Sequence, residues 1–492
     1  MTESVSTRVV TTSEPTIRVR LPAASAWSAA VWAAAAVYAL LLSVESIRDH
    51  NQFETAFDTA IYDQLLWLLA HGHDPFSTIV GRTMLADHFQ PGLVLLTPLY
   101  WLGLGVPGML AAQAIGLALT APALYVLARA AGATPALASL PAFLWLVCPW
   151  VASANLFEFR PSSFAPALLV VSALAALQGR SVLLVLATVL ALSLKEDVAL
   201  MYVMLGLLVV YHGRRRMGVI LAFGSAAWFV ASSLVIESLG GSLDQFGRRF
   251  AGGRGDSVAD ALAWALAHPL ETLGDVVSQS LLGLAALFLS TGGLALLAPS
   301  WMLLAAPTAF HNALSWYLPQ HDLLHHYHLL TLTGFFVAAA IGIRRLSSLR
   351  RPGRLAVTGL VVALVVFSVV AGVRIRGAPS FDSYIDPSET QRALERIPAG
   401  AAVASVPRVL PHLSRRSEVY LFPEPFVRLE WGSLLNAEEM ARRADRVRFV
   451  VYAEIDLRRS FEGSARDVRQ MLLREGFVVV ASAGPLQILE RR

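Results

Sequence analysis

The sequence predicts an α-helical polytopic membrane protein that carries a small α/β domain at its C-terminal end. Three observations support this. Hydrophobic residues make up 55% of the chain and charged residues 15%, and the mean hydropathy is +0.57, outside the range of soluble domains. Apolar runs of membrane-crossing length recur up to residue 373. From about Pro379 short β-rich runs alternate with charged helical stretches. The formal charge of +4 does not call for a nucleic-acid partner, because the basic residues cluster between apolar runs, where they set topology. The single cysteine, Cys148, lies inside an apolar run, which excludes an internal disulfide and a cysteine metal site. The alanine-rich composition, with Lys195 as the exception to an all-arginine set of cations, points to a GC-rich bacterial genome and so to a multi-pass protein of the bacterial cytoplasmic (inner) membrane.

Residues 1–24 are polar, rich in Ser and Thr, and read as a disordered cytoplasmic tail. No small-residue cleavage site follows the first apolar run, so a cleaved signal peptide is not expected. A helix needs about 20 apolar residues to cross the hydrocarbon layer. By that rule spans are expected near 25–45, 107–129, 136–152, 161–178, 181–195, 197–212, 217–237, 279–297, 300–316, 329–345 and 355–373, about eleven crossings within a transmembrane domain of residues 25–376. The segment from Gly92 to Gly103 is too short to cross and reads as an interfacial or re-entrant helix within the outer loop 48–106. In residues 377–492, strands are expected at Ala401 to Val406, Glu418 to Phe422, Arg448 to Glu454 and Phe477 to Ala483, with helices at Ala437 to Arg446 and Ser464 to Glu475.

Placing Arg18 and Arg20 in the cytoplasm and alternating sides puts Arg129, Arg180, the "HGRRR" run and the 344–354 run on the same side, as the positive-inside rule asks. The C-terminal domain then becomes extracytoplasmic. So do Asp58, Asp63, Asp87, His88, Glu158, Arg160, Lys195, Glu196, Asp197, His325, His326 and His328. Ionisable groups at membrane depth are costly and normally face a cavity or a partner, so a shared polar cavity opening outward is expected. The alternative for each is an interfacial residue that snorkels into water.

Each cluster has two readings. Thr55 and Asp58 have capping-box spacing, so Asp58 is either a helix cap or a catalytic carboxylate. On a helix with an apolar stripe of Ile61, Leu65, Leu66 and Leu69 lying along the membrane surface, Asp58 and Asp63 stand about 140° apart and cannot serve one site together. Asp87 and His88 suit phosphate, sugar or metal binding, or a simple turn. Arg160 suits bidentate phosphate binding, or a structural pair with Glu158. Lys195, Glu196 and Asp197 mark either a binding edge or a tight turn at the boundary. His321, His325 and His328 follow helical spacing and would line one face, for substrate or phosphate binding more readily than for zinc, since no fourth ligand is evident.

The stretches "FDTAIYDQLLWLLAHGHDPFST", "LADHFQPGLVLLTPLYWL", "FEFRPSSFAPALL", "LKEDVAL" and "HHYH", with "IPAGAAVASVPRVLPHLSRRSEVYLFP" near the end, resemble the bacterial membrane protein family called domain of unknown function 2079. That family is similar to the GT-C glycosyltransferases. The resemblance implies a GT-C-like transmembrane domain and an enzyme that takes a sugar from a polyprenyl phosphate donor on the outer membrane face. In the superfamily an acidic residue early in the first outer loop is the catalytic base, and Asp58 matches that place. Asp63, Asp87, His88, Glu158, Arg160, Lys195, Glu196, His325 and His328 are then the expected substrate-binding residues. The strict Asp-Asp or Glu-Asp pair of metal-dependent members is not found, so no metal ligand is assigned and a divalent ion stays open as a cofactor. Expected partners are the polyprenyl-phosphate-linked sugar, a cell-envelope glycan, lipid or protein acceptor, and membrane lipid. Competing readings are a transporter or flippase, which would place its charges near mid-membrane, and a non-catalytic scaffold presenting the α/β domain.

Overall fold

A computed structural model describes residues 25–242, 249–250, 257–348, 362, 366, 385–428, 436–453 and 465–492. The first helix, α1 (Ala26–Asn51), is capped by Ser25, whose hydroxyl accepts from the Ser28 N–H. Its Trp32, Leu40 and Leu41 are exposed, as on a lipid-facing span. Among the described residues, six helices are long and apolar enough to cross a membrane: α1, Gly105–Ala130, Pro161–Gln178, Arg215–Ser238, Pro269–Leu289 and Leu329–Ser347. The pair Pro135–Val147 and Pro149–Phe157, bent by 42°, makes up to seven.

Among the described residues fewer long apolar helices are thus found than the roughly eleven crossings expected, for identifiable reasons. Pro149 lacks an N–H and breaks the helix expected over 136–152. The 300–316 segment is split into Pro299–Met302, Leu303–Ala305 and Ala306–Ala313, with prolines at 299 and 307. The 279–297 span instead begins at Pro269 and ends at Leu289, where Gly292 and Gly293 take positive φ. Ser181–Leu192 and Val198–Tyr211 are apolar but short. The 355–373 span lies outside the described residues.

Two cores divide the molecule. One lies within the bundle, where the indole of Trp145 donates to the Leu117 carbonyl and meets Phe336 edge-on at 5.2 Å. The second is shared between α2 (Phe57–Ala70), the outer loop around Ile79 and Leu93, and the C-terminal sheet. Ile61, Leu65 and Leu66 are buried in this second core, which corrects the expectation that their stripe lies along the membrane surface. The outer loop adds a small hairpin, β1 (Phe76–Ser77) and β2 (Arg82–Thr83). The segment Pro91–Leu96 and Thr97–Trp101 is too short to cross and exposes Val94, Leu95, Trp101 and Leu102.

The C-terminal sheet contains β3 (Val403–Ser405), β4 (Val419–Leu421), β5 (Phe449–Tyr452), β6 (Phe477–Ala483) and β7 (Leu486–Arg491) in the order β4-β3-β5-β7-β6. β3 pairs parallel with β4 and β5, whereas β7 runs antiparallel to β5 and β6. The four expected strands form. β7 and the helix Pro387–Leu394 are additions.

At the end of the bundle that carries the basic turns, Arg214 donates to the Leu177 carbonyl and packs over Gly179, which brings two arginine clusters together. The helices Val198–Tyr211 and Arg215–Ser238 touch through glycines. A Cβ on Gly206 would lie 2.5 Å from the Ala222 nitrogen, whereas one on Gly224 would meet nothing. Gly206→Leu is expected to destabilise the bundle by about 1–3 kcal/mol, with Gly224→Ala neutral. Thermal unfolding of both variants in detergent checks this.

Candidate functional site

At the opposite end of the bundle, residues widely separated in sequence converge around the start of α2. The Thr55–Asp58 capping box does not form. Thr55 bonds the ring of His50 at 2.9 Å, and the cap residue, Ala56, has no side chain that could serve. A carboxylate from elsewhere takes the role: Glu158 Oε2 accepts the Thr59 N–H at 2.6 Å, in the first turn where helix N–H groups lack partners. Asp58 is thereby free of capping and pairs with the Arg160 guanidinium. The Arg160 backbone is fixed by its N–H donating to Gln113 Oε1 at 2.7 Å, and Gln113 Nε2 donates to the Asn155 and Glu158 carbonyls. The Arg160 guanidinium stands 5.9 Å from the Phe157 ring centroid, and its Nε has no hydrogen-bond partner.

Burial pushes Glu158 up to about 8, with the Asp58 charge adding to the rise and Arg160 opposing it. Near neutral pH Glu158 is therefore protonated, and it caps α2 without placing a second negative charge beside Asp58. Arg160 would be lowered by burial, but the Asp58 carboxylate raises it, so its charge is secure. The ring of Tyr62 packs edge-on against Phe159 at 5.3 Å, and its hydroxyl lies within reach of the charges of Arg160, Asp58, Asp87 and Lys195.

A second group adjoins the first. Glu196 is buried and accepts from the His88 ring at 2.9 Å and from the Phe89 N–H at 3.0 Å. Burial alone would raise Glu196, but His88 outweighs it, with help from Lys195, and holds it at about 2. Lys195 is 2.8 Å from Asp197; burial would lower it, and Asp197 and Glu196 together raise it instead. Asp87 pairs with Arg82 at 3.3 Å.

The histidine run completes one side of the site, though not as a helix face. Residues 321–328 form turns, because Asp322 accepts the Leu324 N–H at 2.9 Å and a helix starts only at Leu329. The three rings at helical spacing are therefore separated. His321 bonds Ser280 and the Ser315 carbonyl. His325 packs at a tilt against Phe157, with centroids 4.5 Å apart, and is 3.3 Å from Asp322. His328 is buried, donates from Nε2 to the Trp150 carbonyl, and lines a cavity with Ser280, Asn312 and Thr331. Burial lowers His328 to about 4.

His326, which was not among the expected substrate-binding residues, feels the charges of both cations. It packs on Tyr327 at 4.1 Å and near Phe157 at 6.0 Å, and burial followed by the charges of Arg160 and Lys195 keeps it neutral. Its Nδ1 has no hydrogen-bond partner. Tyr62, Phe157 and Tyr327 also carried no signal in the sequence, since each sits in an apolar or mixed run; the nearest hint was the "HHYH" motif itself. Among the described residues no group of three or more His, Cys, Asp and Glu side chains is placed to hold a metal ion.

Asp63 lies apart from this cluster. It is fully buried and accepts from Ser414 Oγ at 2.6 Å, Tyr100 OH at 2.7 Å and Arg415 Nε at 3.3 Å. Burial raises Asp63, while Arg415, Ser414 and Tyr100 pull it back.

The raised Glu158 has a definite pH signature. The folded chain keeps a proton that the unfolded chain releases above its ordinary value of 4.5, so the stability this group contributes falls as pH rises towards about 8. The melting temperature of the native protein is expected to drop between about pH 5 and about pH 8, and more steeply than that of Glu158→Gln. Thermal scans of the two proteins across that range check the difference.

The chain belongs to the family described as predicted membrane protein (DUF2079), which matches residues 49–471. No curated protein matches the chain. Among the solved structures that share its fold are two of ArnT from Cupriavidus metallidurans. The one bound to undecaprenyl phosphate has 15% identity and a TM-score of 0.50, covering 95% of this chain and 98% of its own. The apo state has 14% identity and a TM-score of 0.52, covering 94% and 98%. The resemblance to GT-C glycosyltransferases therefore extends to the fold of nearly the whole chain.

Proposed function

We propose that this protein is a membrane glycosyltransferase that moves a sugar from a polyprenyl phosphate donor to a cell-envelope acceptor on the outer membrane face. The observation that carries the reading is the Asp58–Arg160 pair: a carboxylate at a helix start, held by a cation, with Lys195 and His326 close by. The solved ArnT complex with undecaprenyl phosphate, which has this fold, supports the donor class.

Arrival of the donor draws Arg160 from Asp58 to the phosphate, where a planar guanidinium makes paired charge-assisted bonds. Asp58, released, accepts the proton of the acceptor hydroxyl as general base. The hydroxyl oxygen attacks the anomeric carbon, and the bond from that carbon to the phosphate oxygen breaks. Its electron pair leaves with polyprenyl phosphate, and the configuration inverts. Arg160 and Lys195 stabilise the charge that develops on the leaving group, and neutral His326 donates a hydrogen bond to it. This assigns to His326 a part that spacing alone would give to His328, which is committed to the Trp150 carbonyl. His88 and Glu196 hold the turn that presents Lys195, while Asp87 and His325 border the acceptor side. A divalent ion has no assigned part in these steps.

The lipid has a surface that fits. The Gly92 N–H donates to the Ser193 carbonyl at 2.8 Å, and a Cβ on Gly92 would collide with Ser193, so the exposed apolar residues Val94 and Leu95 are anchored beside the Lys195 turn. A polyprenyl tail resting there leaves its phosphate at the cations. A transporter would need its charged groups spread along a path through the membrane, whereas these gather at one end of the bundle.

Transfer from radiolabelled polyprenyl phosphate sugars to an envelope extract, by protein in lipid, is the test. Asp58→Asn is expected to lower transfer at least about 100-fold. Arg160→Ala is expected to lower it by about 100-fold as well, the scale of a lost oxyanion donor, and Arg160→Lys to restore part of it. Donor binding without transfer by the native protein across a broad donor panel would favour the transporter reading instead.

A further inference from the structure

Asp63 and Gln64 are adjacent on α2, both fully buried, and every hydrogen bond that the structure gives their side chains leads away from the site. Asp63 accepts from Ser414, Arg415 and Tyr100. Gln64 Nε2 donates to Thr78 Oγ1 at 2.8 Å and to the Arg416 carbonyl at 3.3 Å, and its Oε1 accepts from Ser77 Oγ and the Thr78 N–H. Thr78 extends the chain of contacts, donating to the Val419 carbonyl at 2.6 Å and accepting the Val419 N–H at 3.0 Å, at the start of β4. The loop 413–419 of the C-terminal domain is thus bonded to the middle of α2 by two neighbouring polar side chains.

Arg415 ties a third element to the same point. Its guanidinium stands 5.8 Å from the Tyr100 ring centroid and against Gly105, which begins the first span after the outer loop. Gly105 has a φ of +49°, and a Cβ there would overlap the guanidinium, so only glycine admits the contact. A buried carboxylate with three donors from two separate segments is costly to break, because each lost partner leaves an unpaired group in the core.

We propose that the C-terminal domain is a buttress for the catalytic helix, and that Asp63, Gln64 and Arg415 are positioning residues which fix the axis of α2 and so the place of Asp58. This rests on the reading of Asp58 as the base. It assigns the α/β domain a task within the reaction: with the clamp open, the middle of α2 loses its polar ties to the domain and keeps those of its first turn, to Glu158 and Arg160, and Asp58 loses the register that catalysis demands, where displacements near 1 Å are costly.

The test uses the full-length protein in lipid and two readouts. In Arg415→Ala, hydrogen exchange along Phe57–Ala70, including its first turn, is expected to rise at least about tenfold, with α1 unchanged. Arg415→Lys should recover much of the protection. In the transfer assay Arg415→Ala should lower kcat about tenfold with the donor KM nearly constant, and it should cost little further in an Asp58→Asn background, since both act through one group. Asp63→Asn, which keeps the shape, should behave as Arg415→Ala does. Exchange that changes only within 413–419, or losses that multiply in the double variant, would overturn the buttress. If Asp58→Asn itself retained full transfer, the base assignment would fail, while the exchange result would still decide whether the domain holds α2.

Discussion

The ion pair between Asp58 and Arg160 is the interaction on which the arrangement of this end of the bundle depends. It joins segments 102 residues apart and can exist only because Glu158 has taken over the capping of α2. Two carboxylates beside one helix start would repel each other if both were charged, and the protein resolves this by keeping one protonated through burial. Around the pair, the Lys195 turn is held by Glu196 and His88, so the second cation is presented by a separate, independently stabilised unit.

Much of this was legible in the sequence because charge in an apolar chain is conspicuous. Asp58, Glu158, Arg160, Lys195, Glu196, Asp87 and His88 stand out against their surroundings, and the positive-inside rule assigned them to one side; the fold brings them to one end of the bundle. What could not be read was which side chain satisfies which. The Thr55–Asp58 spacing pointed to a local cap, but the acceptor came from Glu158, 99 residues from Thr59. The histidines had helical spacing, yet Asp322 turns the backbone before a helix can form, and His326, outside that spacing, feels the charges of both Arg160 and Lys195. Span counting failed where prolines and paired glycines interrupt apolar runs, since hydropathy registers composition and is blind to backbone donors.

Asp63 shows the limit of local pattern most clearly. A carboxylate in an apolar helix asks for a partner, but its partners, Ser414 and Arg415, lie more than 300 residues away in a loop whose own sequence gives no sign of them. The amphipathic stripe of α2 was similarly ambiguous. A membrane surface and a protein core present the same apolar face to a helix, and only the position of the C-terminal sheet decides between them.

The shared second core has a consequence for the order in which the molecule can be built. Spans can enter the bilayer one after another as they are synthesised, but α2 belongs to the first loop made and the strands that bury it to the last part of the chain. Through most of synthesis its buried face has only the nearby loop and Phe159 as partners, and the contacts that complete the core close over separations as long as 352 residues. A chain halted before β4 would hold nearly all its membrane helices and still leave the Asp58 helix unassembled. Completion of the last domain is thus the event that converts an inserted bundle into a finished site.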